Sequence, residues 1–141
     1  MKMPETLNPQ MLAPCGINCL ACRAHLMQKK VCPGCFTDSI TKSESCRNCR
    51  IKACATEHGV NACAECGAFP CPLIGHIDKR YRLRYGLSLI ENELFLKQNG
   101  FEVFSAREKE RWTCPECEGI VCLHNRTCSS CLKTYPINHP V

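Results

Sequence analysis

The residues with chemistry to offer are the cysteines. Sixteen stand among 141 positions, and twelve of them form six Cys-x-x-Cys pairs: Cys19/Cys22, Cys32/Cys35, Cys46/Cys49, Cys63/Cys66, Cys114/Cys117 and Cys128/Cys131. Two residues between thiols let both sulfurs approach one ion at about 2.3 Å, the distance found in structural zinc sites. Disulfide oxidoreductases use the same spacing, but as one motif in a thioredoxin-type fold. Six copies in so short a chain do not fit that chemistry.

The pairs recur at a higher level. Cys32-x-x-Cys35, ten residues and Cys46-x-x-Cys49 repeat the spacing of Cys114-x-x-Cys117, ten residues and Cys128-x-x-Cys131. The second set reads as a zinc ribbon, with two knuckles joined by a short apolar strand at residues 120–123 and a polar turn at 125–127. Cys122, in that strand, reads as a small packed apolar residue before it reads as a ligand. Seven thiols remain: Cys15, Cys19, Cys22, Cys54, Cys63, Cys66 and Cys71. With one histidine they would complete two tetrahedral sites, and His25, His58 and His76 lie near them in sequence. Each of these reads more simply as a surface or packing residue, and the role of His124 beside Cys122 stays open. The expected ligands are therefore every cysteine except Cys122, holding three or four ions. Their pairing is not readable from spacing.

Zinc is the default ion for sulfur-only tetrahedral sites, and an iron–sulfur cluster is the alternative. Cys15-x-x-x-Cys19-x-x-Cys22 has the spacing of a radical S-adenosylmethionine cluster, but the chain is too short for the barrel those enzymes need. Cys63-Ala64-Glu65 with Pro70-Cys71 imitates a zinc deaminase signature, yet four residues between Glu65 and Pro70 cannot join two separate helices, and Ile74 stands where a second cysteine belongs. A closed four-sulfur site has no open coordination position, which argues for structure rather than catalysis. The competing class is redox: an iron–sulfur carrier, or a thiol enzyme working through Cys122.

These sites need elements to position them, and the oily core is thin. Leu, Ile, Val and Phe together make 30 of the 141 residues, close to the composition where disorder sets in. No apolar run reaches membrane-spanning length, and the amino-terminal stretch lacks a signal-peptide core. The expectation is a cytoplasmic protein with no membrane association, in a compartment that keeps thiols reduced. Residues 72–113 contain no cysteine and read as helices. Pro72 and Gly86 bracket one, with Leu73, Ile74, Ile77, Tyr81 and Tyr85 on a single face. A capping box at Ser88 and Glu91 opens a second, which Gly100 stops. A third is expected from Ser105 to about Trp112, and a short one from Ile51 to His58 ahead of Gly59. The basic run from Lys79 to Arg84 reads as a solvated face before it reads as a phosphate-binding one. The expected fold is a small α+β protein dominated by metal: a Cys-rich zinc-knuckle head over residues 1–71, a helical segment over 72–112 and a zinc-ribbon-like tail over 113–141.

The run Ala13-Pro14-Cys15-Gly16-Ile17-Asn18-Cys19-Leu20-Ala21-Cys22, continued by Cys54-Ala55-Thr56-Glu57-His58-Gly59-Val60 and by Cys63-Ala64-Glu65-Cys66 through Phe69-Pro70-Cys71, resembles a bacterial and archaeal family known as domain of unknown function 3795. The resemblance implies a metal-binding protein with no assigned reaction, so it transfers no catalytic residue. Some members carry a ribbon-like tail as well.

The functional expectation is a zinc-binding module that interacts with protein or nucleic acid. The formal charge of +5 does not favour nucleic acid by itself. Fifteen thiolates and four Zn²⁺ ions would turn it to about −2, since each sulfur loses a proton on binding. One structural zinc supplies about 10–16 kcal/mol of apparent binding energy, against net domain stabilities of about 5–15 kcal/mol. Chelation is therefore expected to unfold head and tail together. Native far-UV circular dichroism in a verified metal-free sample would overturn this.

Overall fold

Prolines, serines and glycines place the helices. The computed structural model describes residues 2–26, 32, 34 and 49–136. Among them are a one-turn helix α1 (Arg23–Leu26) and four longer helices: α2 (Arg50–Glu57), α3 (Pro72–Tyr85), α4 (Leu89–Asn99) and α5 (Phe101–Trp112). Single 3₁₀ turns lie at Pro9–Met11, Cys19–Ala21 and Cys63–Glu65. Pro72 opens α3, where its missing N–H costs nothing, and Gly86 closes it at φ 62°, donating its N–H to the Tyr81 carbonyl. The Ser88 hydroxyl accepts the Glu91 N–H at 3.1 Å and so starts α4.

Gly100, at φ 86°, ends α4 and begins α5 directly. The third helix therefore starts a turn earlier than its expected start at Ser105. The reason is burial: Phe104 is wholly enclosed, and helical backbone from Phe101 onward brings it to the core. Ser105 is not a cap. It is buried mid-helix, and its hydroxyl accepts the Leu7 N–H at 3.1 Å, tying the amino terminus to α5.

One apolar cluster runs through all parts of the chain. Met3, Leu7, Leu12 and Ile17 meet Ile74 and Tyr81 of α3, Leu89 of α4, Phe104 and Trp112 of α5, and Ile120, Val121 and Leu123 beyond it. The Cys15-Gly16-Ile17-Asn18 turn is packed against α4. Gly16 sits at φ 99°, and a Cβ there would come within 3.2 Å of the Leu89 carbonyl oxygen. The Asn92 amide donates to the Gly16 carbonyl at 3.1 Å. Glycine is the residue that fits both the positive φ and the close approach.

Residues 113–135 show little strand. The apolar stretch expected as a strand at 120–123 is held by isolated bridges, Thr113 with Ile120, Val121 with Cys128 and Thr127 with Thr134. The organising unit is a turn. In residues 114–119, 122–127 and 128–133 the first N–H donates to the sixth carbonyl, at 2.8, 3.0 and 2.9 Å, while the fifth N–H returns to the first carbonyl at 2.9, 2.9 and 3.1 Å. The fifth residue of each, Glu118, Arg126 or Leu132, has a positive φ between 57° and 66°. The outer two turns carry cysteine at their first and fourth positions. The middle one carries Cys122 at the first and Asn125 at the fourth.

Asp78 latches α3 to the start of α4. One carboxylate oxygen accepts the Ser88 hydroxyl at 2.8 Å and the Ile90 N–H at 2.9 Å, and the other accepts Arg82 Nε at 2.8 Å. Burial opposes ionisation, but the Ile90 N–H, the Ser88 hydroxyl and Arg82 outweigh it and hold the carboxyl below its ordinary range. Its folded-state value is thus depressed. The latch contributes fully above the unfolded carboxylate pKa of about 4 and is lost as pH falls through the lower folded value. Asp78→Ala strands the Ser88 and Ile90 donors, releases the exposed Arg82 to solvent, and is expected to cost about 2–3 kcal/mol, read from urea midpoints at neutral pH. The difference from wild type should shrink on acidification.

Candidate metal centre

The two outer turns of the tail face one another. Cys114, Cys117, Cys128 and Cys131 bring their four Sγ atoms within 4.8 Å of one another, and among the described residues this is the set of possible ligands so gathered. Cys114 Sγ lies 3.7 Å from Cys131 Sγ, and Cys117 Sγ lies 3.5 Å from Cys128 Sγ. A tetrahedron of sulfurs about 2.3 Å from a central ion has edges of about 3.8 Å. The quartet can hold a metal ion without rearrangement of the chain.

Its surroundings favour a thiolate at Cys114, while, against the Lys133 backbone, burial and the neighbouring Cys117, Cys128 and Cys114 push the Cys131 thiol up to about 11. The Gly119 N–H donates to Cys117 Sγ and the Ser130 N–H to Cys128 Sγ, each at 3.4 Å. The Tyr135 hydroxyl lies 3.1 Å from Cys114 Sγ. This hydroxyl, against the opposing effect of burial and with help from the Cys117 and Glu116 backbone, brings the Cys114 thiol down to about 6. Lys133, 2.9 Å from Glu116, lies over the Tyr135 ring. Gly119 leaves no space for a side chain, because a Cβ would meet Ser130 Cβ at 2.8 Å and Cys128 Sγ at 3.1 Å.

The other expected ligands fall into separate places. Cys54, Cys63, Cys66 and Cys71 surround a cavity of about 20 Å³ together with Ala55, His58, Val60 and Phe69. Their sulfurs are spread more widely than those of the tail. Burial, and then Glu93, Cys71, Cys54 and Cys66, push the Cys63 thiol up to about 12. Cys15 and Cys19 are buried and Cys22 is half-buried, near Tyr81, whose hydroxyl is pushed upward by burial first and by Cys15 and Cys22 next. Of the quartet expected from Cys32, Cys35, Cys46 and Cys49, Cys32 is buried and Cys49 half-buried. Cys35 and Cys46 lie outside the described residues. Cys122 is buried and stands apart from the tail quartet, matching its reading as a packed residue.

The histidines have other partners. His25 Nδ1 is 2.7 Å from the Cys32 carbonyl oxygen, and His76 is exposed. His124 Nδ1 accepts the Arg23 N–H at 3.1 Å, which leaves its proton on Nε2 to donate to the Tyr81 hydroxyl at 3.1 Å. Burial, then Arg23, brings His124 down to about 4, so it stays neutral. Sequence reasoning did not identify Tyr135 or the Tyr81–His124 pair. Both act across gaps of more than 20 residues, and no local spacing signals them.

Residues 11–76 match a family described as protein of unknown function (DUF3795). The matched span is 66 of the 141 residues. It includes the Cys15-Gly16-Ile17-Asn18 turn and the cysteines from Cys15 to Cys71, while the tail quartet lies beyond it. No curated protein and no solved structure matches the chain. Within the DUF3795 region the buried Gly16 and Asn18 are placed by packing, and Asn18 Oδ1 accepts the Leu20 N–H at 3.0 Å.

Tyr135→Phe removes the hydroxyl from Cys114 Sγ and leaves the ring. Metal affinity of the tail is expected to fall roughly 10–100-fold, with acid release moving to higher pH because the thiol then competes better for protons. Competition with a zinc indicator across a pH series measures both.

Proposed function

We propose that this chain is a zinc-binding protein whose Cys-rich sites are structural, and that it serves as a binding or adaptor module for a protein or nucleic-acid partner in a reducing, cytoplasmic setting. The observation that carries the reading is the tail quartet, four sulfurs at tetrahedral spacing that would fill the coordination shell of one ion. A closed site organises backbone and does not activate a reactant. The head cysteines would supply the remaining ions of a total of three or four. Absence of a helix long and apolar enough to cross a membrane among the described residues is compatible with this reading.

The surface supports interaction in two places. Leu83 on α3 and Leu132 in the last turn are 76% and 70% exposed. Lys79, Arg80, Arg82 and Arg84 project from α3 beside Leu83, and Arg82 is engaged by Asp78. Iron remains the competing occupant, since a sulfur-only tetrahedral set accommodates it as well.

Elemental analysis of the full chain, purified without added metal, is expected to return a colourless protein holding three or four zinc ions. A brown preparation absorbing near about 400 nm would replace this reading with an iron–sulfur one. Generic oligonucleotide binding across a salt series then separates the partner classes. If binding is absent, or is unchanged when Arg80, Arg82 and Arg84 are substituted together, nucleic acid drops out as a partner of this face.

A further inference from the structure

The cavity beneath α2 joins four cysteines whose grouping is not apparent from their spacing. Cys54 comes from the second turn of α2, Cys63 and Cys66 from the two ends of a 3₁₀ turn, and Cys71 from the residue preceding α3. All four are half-buried and line the same space, whose remaining walls are Ala55, Val60, Phe69 and His58. We propose that Cys54, Cys63, Cys66 and Cys71 form a second closed four-thiolate site, which takes a single Zn²⁺ ion and is separate from the tail quartet.

Three features carry this. The first is size. The cavity, about 20 Å³, has room for one water-sized occupant, so it suits a lone ion on which the four sulfurs would draw together. The second is the position of Cys71. It stands at the N-cap of α3, yet its side chain makes no capping hydrogen bond. Its sulfur is left to the cavity, which it lines from the start of a 14-residue helix.

The third is how firmly the turn between the inner cysteines, Cys63 and Cys66, is held. The Cys63 N–H donates to the Pro14 carbonyl at 2.9 Å, and the Cys66 N–H to the Cys63 carbonyl at 3.0 Å. The Ala64 N–H donates to the buried Glu93 carboxylate of α4 at 3.1 Å. This fixes the Cys63/Cys66 pair against the body of the protein before any ion arrives.

His58 is not needed to complete the set. Its Nδ1 lies 2.8 Å from the Cys54 carbonyl oxygen and 3.6 Å from Cys54 Sγ, so the ring is held at its own helix end. Four sulfurs close the coordination shell without it. A soft, tetrahedral, redox-silent cation is the ion such a set selects.

The test is zinc stoichiometry on the full chain, expressed under reducing conditions. Cys63→Ser and Cys71→Ser are each expected to lower zinc by one ion per chain, Cys117→Ser by one other ion, and the Cys63→Ser/Cys117→Ser pair by two. His58→Ala should keep the wild-type content. Wild-type zinc content in Cys63→Ser and Cys71→Ser would overturn the second site. Wild-type content in Cys117→Ser would instead overturn the tail reading.

Should the serine variants fail to fold, alkylation of the native protein followed by mass spectrometry decides the matter. Cys54, Cys63, Cys66 and Cys71 are expected to resist alkylation in the zinc-loaded chain and to become reactive together as chelator removes the ion. Alkylation of any one of them at the rate of a free thiol in zinc-loaded protein would overturn the site, as would a disulfide joining two of them in that sample.

Discussion

Sulfur atoms 3.5 and 3.7 Å apart, in two facing pairs, are the constraint around which the turns of residues 114–133 are built. As thiolates they repel one another, and as thiols they offer weak hydrogen bonds in return for three turns that each carry a side-chain-bearing residue at positive φ. Such a conformation costs about 1–2 kcal/mol per residue. A divalent cation held there would change the balance, because one ion bound to four sulfurs would offset both the repulsion and the turns. Those turns then place Ile120, Val121 and Leu123 against Trp112 in the core. An ion bound by the quartet would thus be coupled to the apolar burial of the tail.

Head, helices and tail are fastened to each other by polar contacts at the same surface. The Leu123 N–H donates to the Ala21 carbonyl at 2.8 Å. Arg126, buried against Trp112, donates to the Tyr85 carbonyl at 2.7 Å. His124, neutral because it is buried, spans Arg23 and Tyr81 and packs edge-on against both Tyr81 and Tyr85. A thin core is supplemented by directional bonds that specify how the Cys-rich ends sit on α3.

The helices were legible because their signals are local. Pro72, Gly86, Ser88 and Gly100 each act within one turn of where they stand, and the helix limits they set agree with the structure. The start of α5 was not legible, because Ser105 resembles a cap in sequence while its hydroxyl bonds to Leu7, nearly 100 residues away. The tail quartet was legible for the same reason as the helices: each Cys-x-x-Cys pair is one turn, and the ten-residue spacer returns the chain on itself. The strand expected at residues 120–123 is reduced to isolated bridges at Ile120 and Val121, since Cys122 begins the middle of three similar turns.

Residue types and spacing by themselves determined that this chain is organised around sulfur, that its middle is helical and that the four tail cysteines belong together. These are short-range facts, governed by reach along the backbone. Tertiary structure alone decided which head cysteines share a cavity, that Tyr135 supports Cys114, and that His124 serves Tyr81 rather than an ion. Each joins elements distant in sequence through burial and geometry, and burial is a property of the assembled fold.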